Sequence, residues 1–147
     1  MRASIIALVM VSLFSACNKD HRPTTPEERA RLSIDTVSRT LVAVSETFTP
    51  LYDDRVDSCL SRYADPSAHR GEVIDCVGAY LAVARALDAT RSAILAGEHA
   101  VDAVGASGWS DALPLVLEGL SDLVCALLAA GLDVPSDIAA LVTRGEC

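Results

Sequence analysis

The sequence predicts an all-α fold: an irregular bundle of three main helices and one short C-terminal helix, stapled by disulfides. Three observations predict it. Apolar residues recur from Ala30 to Leu51 at alternating steps of four and three, the spacing of a helical seam. Helix punctuation stands at the right places, with Thr25-Pro26-Glu27-Glu28 and Asp65-Pro66 as starts and Gly97 and Gly131 as stops. No stretch sustains the apolar–polar alternation of a half-buried strand.

Residues 1–16 read as an export signal. Arg2 provides a positive n-region, Ile5 to Phe14 form an apolar run, and small residues Ser15 and Ala16 precede Cys17. The run falls well short of the roughly 20 apolar residues that span a bilayer. Phe14-Ser15-Ala16-Cys17 resembles a bacterial lipobox, with Phe14 departing from the usual Leu. That resemblance covers only the precursor segment. It implies cleavage before Cys17, diacylglyceryl attachment to its sulfur and acylation (palmitate or a similar chain) of the new N-terminus. Each buried methylene contributes about 0.8 kcal/mol, so several chains make a stable anchor. Asn18 stands where an Asp would imply inner-membrane retention, so the resemblance implies an outer-membrane lipoprotein without fixing its face; the periplasmic face is the expectation adopted. The competing reading is an ordinary cleaved signal that leaves Cys17 as a thiol.

Residues 17–25 then form a polar tether, and residues 26–147 a single helical domain. Helix one follows Thr25 as cap and Pro26 as first helical residue, with Glu27 and Glu28 where the helix dipole favours negative charge. Its seam comprises Ala30, Ile34, Val37, Leu41, Val44, Phe48 and Leu51, and resumes near Val56, Cys59, Leu60 and Tyr63. Pro50 interrupts it, and a straight helix over 26–63 would be about 57 Å long, so a kink or break at Pro50 is expected. Asp65-Pro66 opens helix two, which is expected to end at Gly97. Its apolar face includes Val73, Cys76, Val77, Tyr80, Val83 and Leu87, with Ala79, Ala82 and Ala86 permitting close helix approach. The glycines Gly97, Gly105 and Gly108 predict a loop over 97–108. Ser110 caps helix three, about 111–130, an apolar run rich in Leu that would be buried over most of its circumference. Asp111, Glu118 and Asp122 argue against its spanning a membrane. A short helix four is expected over about 135–143, placing Ile138, Leu141 and Val142 on the bundle.

Charge narrows the function classes. The formal charge is −8 and becomes −9 when Arg2 leaves with the signal. Nucleic acid is a poor partner, since its binding depends on neutralising phosphates. Of the cysteines, Cys59, Cys76, Cys125 and Cys147 remain after Cys17, an even number that in an exported chain reads as two disulfides. Three connectivities are possible. An antiparallel hairpin turning near 65–67 puts Cys59 and Cys76 at similar heights, leaving Cys125 and Cys147 to tie the tail to helix three. No CxxC spacing and no His at zinc-ligand spacing from a Cys points to a metal, and no cofactor is implied.

Two clusters carry potential chemistry. Glu98, His99 and Asp102 place an imidazole one helical turn from a carboxylate, as a general base requires, but no nucleophile motif accompanies them; a polar surface patch is the plainer reading. Asp53, Asp54 and Asp57 lack EF-hand spacing and read as a solvated helix face. Trp109, beside the expected loop, is a candidate partner contact, because tryptophan is enriched at interface hot spots; the plainer reading is a staple holding the loop to the core. The resulting expectation is a non-enzymatic, lipid-anchored envelope protein whose helical module binds a protein partner or acts as a spacer. In style, though without a shared motif, the body resembles the small helical lipoproteins of phages and prophages, which implies a lysis or exclusion accessory. The alternative is a small enzyme or ligand-binding lipoprotein with a pocket near His99 and Trp109.

Overall fold

The computed structural model describes residues 25–141. The expected signal segment, the expected lipidation residue Cys17 and the tail residue Cys147 lie outside the described residues. Three long helices, α1 (Pro26–Leu60), α2 (Arg70–Val104) and α3 (Ala106–Ala129), run back and forth, followed by a short α4 (Ser136–Leu141), with no strand among the described residues.

α1 begins where its cap residues place it. The Glu28 N–H donates to Thr25 Oγ1 at 3.1 Å and the Thr25 N–H donates to Glu28 Oε2 at 3.0 Å, a reciprocal capping box. The seam from Ala30 to Phe48 is buried throughout. Each such Val, Leu or Ile contributes about 1.5–3 kcal/mol relative to exposure.

Of the two outcomes expected at Pro50, a kink within one helix or a break into two, the break is absent: one helix of 35 residues, about 52 Å at 1.5 Å per residue, passes through it. Pro50 lies on the exposed side, where water can replace the hydrogen bond its ring removes. What Pro50 marks is a change of phase. Leu51, next on the expected seam, is 41% exposed. Tyr52 replaces it, its ring 5.8 Å from Phe48, which also stacks on Tyr80 of α2 at 6.0 Å.

The turn between α1 and α2 is held by Asp65, whose Oδ1 accepts from the Ser67 hydroxyl at 2.6 Å and the Ser67 N–H at 3.1 Å. Helix α2 starts at Arg70, four residues after Pro66, and its N-cap His69 stacks on Tyr63 at 4.7 Å. Cys59 and Cys76 are joined by a disulfide, the pairing that the hairpin geometry favours.

The largest departure from expectation lies at 97–108. No loop is present: α2 runs through Gly97 to Val104, Gly105 alone makes the turn, and α3 starts at Ala106 rather than after Ser110. Of Gly97, Gly105 and Gly108, only Gly105 uses glycine's backbone freedom, with φ of 73°. Gly97 and Gly108 serve close approach between antiparallel helices. A Cβ at Gly108 would meet the Ala100 carbonyl oxygen, and one at Gly119 would lie 2.9 Å from Thr90 Oγ1. These missing side chains let α2 and α3 pack as the most intimate pair of the fold.

α3 is long and apolar enough to cross a membrane by length and composition. Its Leu113, Val116, Leu120, Leu123 and Leu127 are buried, while Asp111, Glu118 and Asp122 are exposed. The burial expected over most of its circumference is confined to one face, and Leu115 is 58% exposed. Of the three alanines expected to ease helix approach in α2, only Ala86 is buried. Ile138 of α4 is fully buried and joins the same core.

Candidate functional site

A concavity lies between α1 and α2, on residues next to the seam. On α1 the positions one step past a buried residue, Asp35 after Ile34 and Val42 after Leu41, form one ridge with Arg31 and Ser38. On α2 a second ridge runs through Asp88, Arg91, Leu95, Glu98 and Asp102, spaced three and four apart. The ridges are the walls of a groove. Its floor is the rim of the core: Leu41, Leu87 and Ile94 in a cleft of about 330 Å³, and Ile34 and Val101 in an adjoining cleft of about 260 Å³. Ser38 and Glu98 line both clefts, so the two form one continuous groove.

Charge is unevenly distributed along it. At one end Arg31 donates to Asp102 Oδ1 at 2.8 Å across the helix pair, and Arg39 bridges Asp35 at 2.9 Å. These are surface pairs, each contributing at most about 1 kcal/mol. Toward the other end Glu46, Asp88 and Glu98 have no hydrogen-bond or ion-pair partner for their carboxylates among the described residues, and Arg91 is the one cation lining that cleft. Val42 and Leu95, on opposite walls, are 53% and 47% exposed.

The residues singled out in the sequence fall elsewhere. Trp109 is 1% exposed, sealed against Gly97, and is unavailable as a partner contact. It staples α3 to α2, and its Nε1–H has no acceptor among the described residues. His99 is exposed and on α2, and its expected partner Asp102 is engaged by Arg31. Neither His99 nor Trp109 lines the groove. The pocket expected between them is replaced by the direct packing of Trp109 on α2. Glu98 is the member of that cluster that does face the groove.

Asp53, Asp54 and Asp57 are exposed on α1. Arg55, among them, turns inward instead: its Nε donates to the Cys76 carbonyl at 3.2 Å and its guanidinium lies over the Tyr80 ring. No group of three or more metal-binding side chains occurs among the described residues. Cys125 is disulfide-bonded; its expected partner, Cys147, lies outside the described residues. Two carboxyls near the turn are held below their ordinary values, Asp65 by the Ser67 hydroxyl and N–H, Glu72 by its own backbone N–H and by His69.

Sequence reasoning missed the groove. Its signal was present in Val42 and Leu95, apolar residues standing one step off the buried rows. Comparison with known proteins adds no assignment: no family model, no curated protein and no solved structure matches the chain.

Proposed function

We propose that this chain is a non-enzymatic, lipid-anchored protein of the bacterial envelope, held through Cys17 at the outer membrane and facing the periplasm, whose helical module binds a protein partner. The observation that carries the reading is the Cys59–Cys76 disulfide, which suits an oxidising compartment, taken together with Phe14-Ser15-Ala16-Cys17 closing an apolar N-terminal run. The groove supports binding over passive spacing, since a spacer has no use for exposed Val42 and Leu95 on facing walls. We infer further that a bridge between Cys125 and Cys147 ties the tail to α3. A role in host lysis or exclusion fits the phage-like style of the body and remains part of the proposal.

Fractionation of cells expressing the full chain tests it. Wild type is expected in the membrane pellet, resistant to salt and released by detergent. Cys17→Ser is expected in the soluble periplasmic or precursor fraction with its helical circular dichroism intact. Equal partitioning of the two forms contradicts the anchor.

A further inference from the structure

We propose that the groove between α1 and α2 is the docking site for a basic amphipathic helix of a partner protein. This deepens the partner-binding reading above and rests on it.

Shape sets the class of occupant. Along α1 the groove extends from Arg31 to Glu46, fifteen residue steps, or about 22 Å at 1.5 Å rise. It is bounded by two antiparallel helices with an apolar floor between them, the geometry into which the apolar stripe of a third helix fits. The stripe would cover Leu41, Leu87 and Ile94 at the floor and bury Val42 and Leu95 on the walls.

Charge sets the sign. Glu46, Asp88 and Glu98 face Arg91 alone, whereas the acids at the other end are already matched by Arg31 and Arg39. Basic residues flanking the incoming stripe therefore meet unmatched carboxylates, most densely toward Glu46 and Asp88. The same charges disfavour a second copy of this chain, which would bring identical acids and a net charge of −8 against itself. They also disfavour an anionic lipid surface.

The test measures fluorescence anisotropy of labelled synthetic peptides, each about 18 residues long to match the groove, titrated with the purified, disulfide-intact full chain. One carries a leucine stripe flanked by lysines. A second has the same composition with the stripe scattered, and a third has glutamates for the lysines. Saturable one-to-one binding is expected for the first, and binding weaker by about tenfold or more for the others. In the protein, the pair Val42→Ser and Leu95→Ser is expected to weaken the first peptide by about tenfold as well. Glu46→Gln with Glu98→Gln should weaken it and flatten its salt dependence. Leu115→Ser with Leu128→Ser, on the outer face of α3, should leave it unchanged. All of these positions are exposed or rim residues, and circular dichroism checks that each variant folds.

Equal binding of the scattered peptide, or indifference to the groove substitutions, overturns the proposal. So does dimerisation through Val42 and Leu95 in sedimentation, which gives the groove to a second copy. Binding seen only after deletion of residues 18–24 gives it to the chain's own tether and overturns the proposal too. A chain that lacks an anchor yet binds the first peptide overturns the envelope reading alone; an anchored chain that ignores the peptide overturns the groove alone.

Discussion

The indole of Trp109 rests on the bare α-carbon of Gly97, so closely that a Cβ there would stand 2.7 Å from Cζ3 and 2.9 Å from Cε3. Gly97 is buried in the interior of α2. On helix propensity alone Gly97→Ala would stabilise by about 1 kcal/mol. The contact reverses the sign, because the rigid ring or the helix must move, and overpacking costs about 1–3 kcal/mol. Net destabilisation is expected in urea unfolding. Gly78→Ala supplies the contrast: nothing lies within 4 Å of its Cβ, so this change is expected to stabilise by about 0.5–1 kcal/mol.

Truncating the other partner of that contact should cost more. Trp109→Ala removes the largest fully buried side chain and leaves a cavity between α2 and α3, with an expected loss of about 3–5 kcal/mol. Trp109→Phe is expected to cost less, since it also removes a buried N–H that has no acceptor among the described residues. As the only tryptophan of the chain, Trp109 should fluoresce at short wavelength when folded and shift red on unfolding. A water-exposed spectrum from the native protein would contradict its burial.

The Cys59–Cys76 bridge closes a loop with a sequence separation of 17, and removing it with Cys59→Ala and Cys76→Ala is expected to cost about 3 kcal/mol. The loss should be local. Pairing of Gly97 with Trp109 and of Thr90 with Gly119 sets the α2–α3 register, which carries the end of α3 to about residue 80 of α2. Below that level α1 and α2 lack α3 as a cover. Hydrogen exchange in the reduced or doubly substituted protein should accelerate around residues 52–79, while the amides around Val83 to Val101 keep their protection. Uniform acceleration along all three helices would count against this division.

Acid should weaken the hairpin turn first. Asp65 and Glu72 have folded pKa values below their ordinary 3.8 and 4.5, so the stability they contribute is present above those values and is lost as pH falls through the lower folded ones. For Asp65 the leading cause is the Ser67 hydroxyl; for Glu72 it is its own backbone N–H, with His69 second. Both groups are solvent-exposed, so the effect is small. Asp65→Asn is expected to lower the melting temperature slightly at neutral pH, with the gap to wild type closing below about pH 4. A gap that persists unchanged at pH 2 would refute the carboxylate's role in the turn.

Much of this fold was legible in the sequence. The cap at Thr25, the α1 seam as far as Phe48 and the Cys59–Cys76 staple follow from local spacing and hairpin geometry, which need no knowledge of distant contacts. Gly97 and Gly108 misled, because a glycine that ends a helix and one that admits a neighbouring ring look alike until the neighbour is placed. Trp109 was read first as a staple onto the core, which its burial against Gly97 agrees with, and what was hidden is that it holds a helix there and not a loop. Pro50 was read as a kink or a break, and the helix continues because its exposed position lets solvent satisfy what the ring leaves open. The groove was hidden because it arises from two ridges of separate helices, and only their pairing brings Val42 opposite Leu95.

The most direct test of the proposed lipid tether and of the oxidised state is the intact mass of the protein extracted from bacterial membranes, alkylated before and after reduction. The expected species begins at Cys17, carries added acyl chains, and takes no alkylating label until reduced, when Cys59, Cys76, Cys125 and Cys147 all become labelled. A species retaining Met1, or one whose thiols are labelled without reduction, would contradict the envelope assignment.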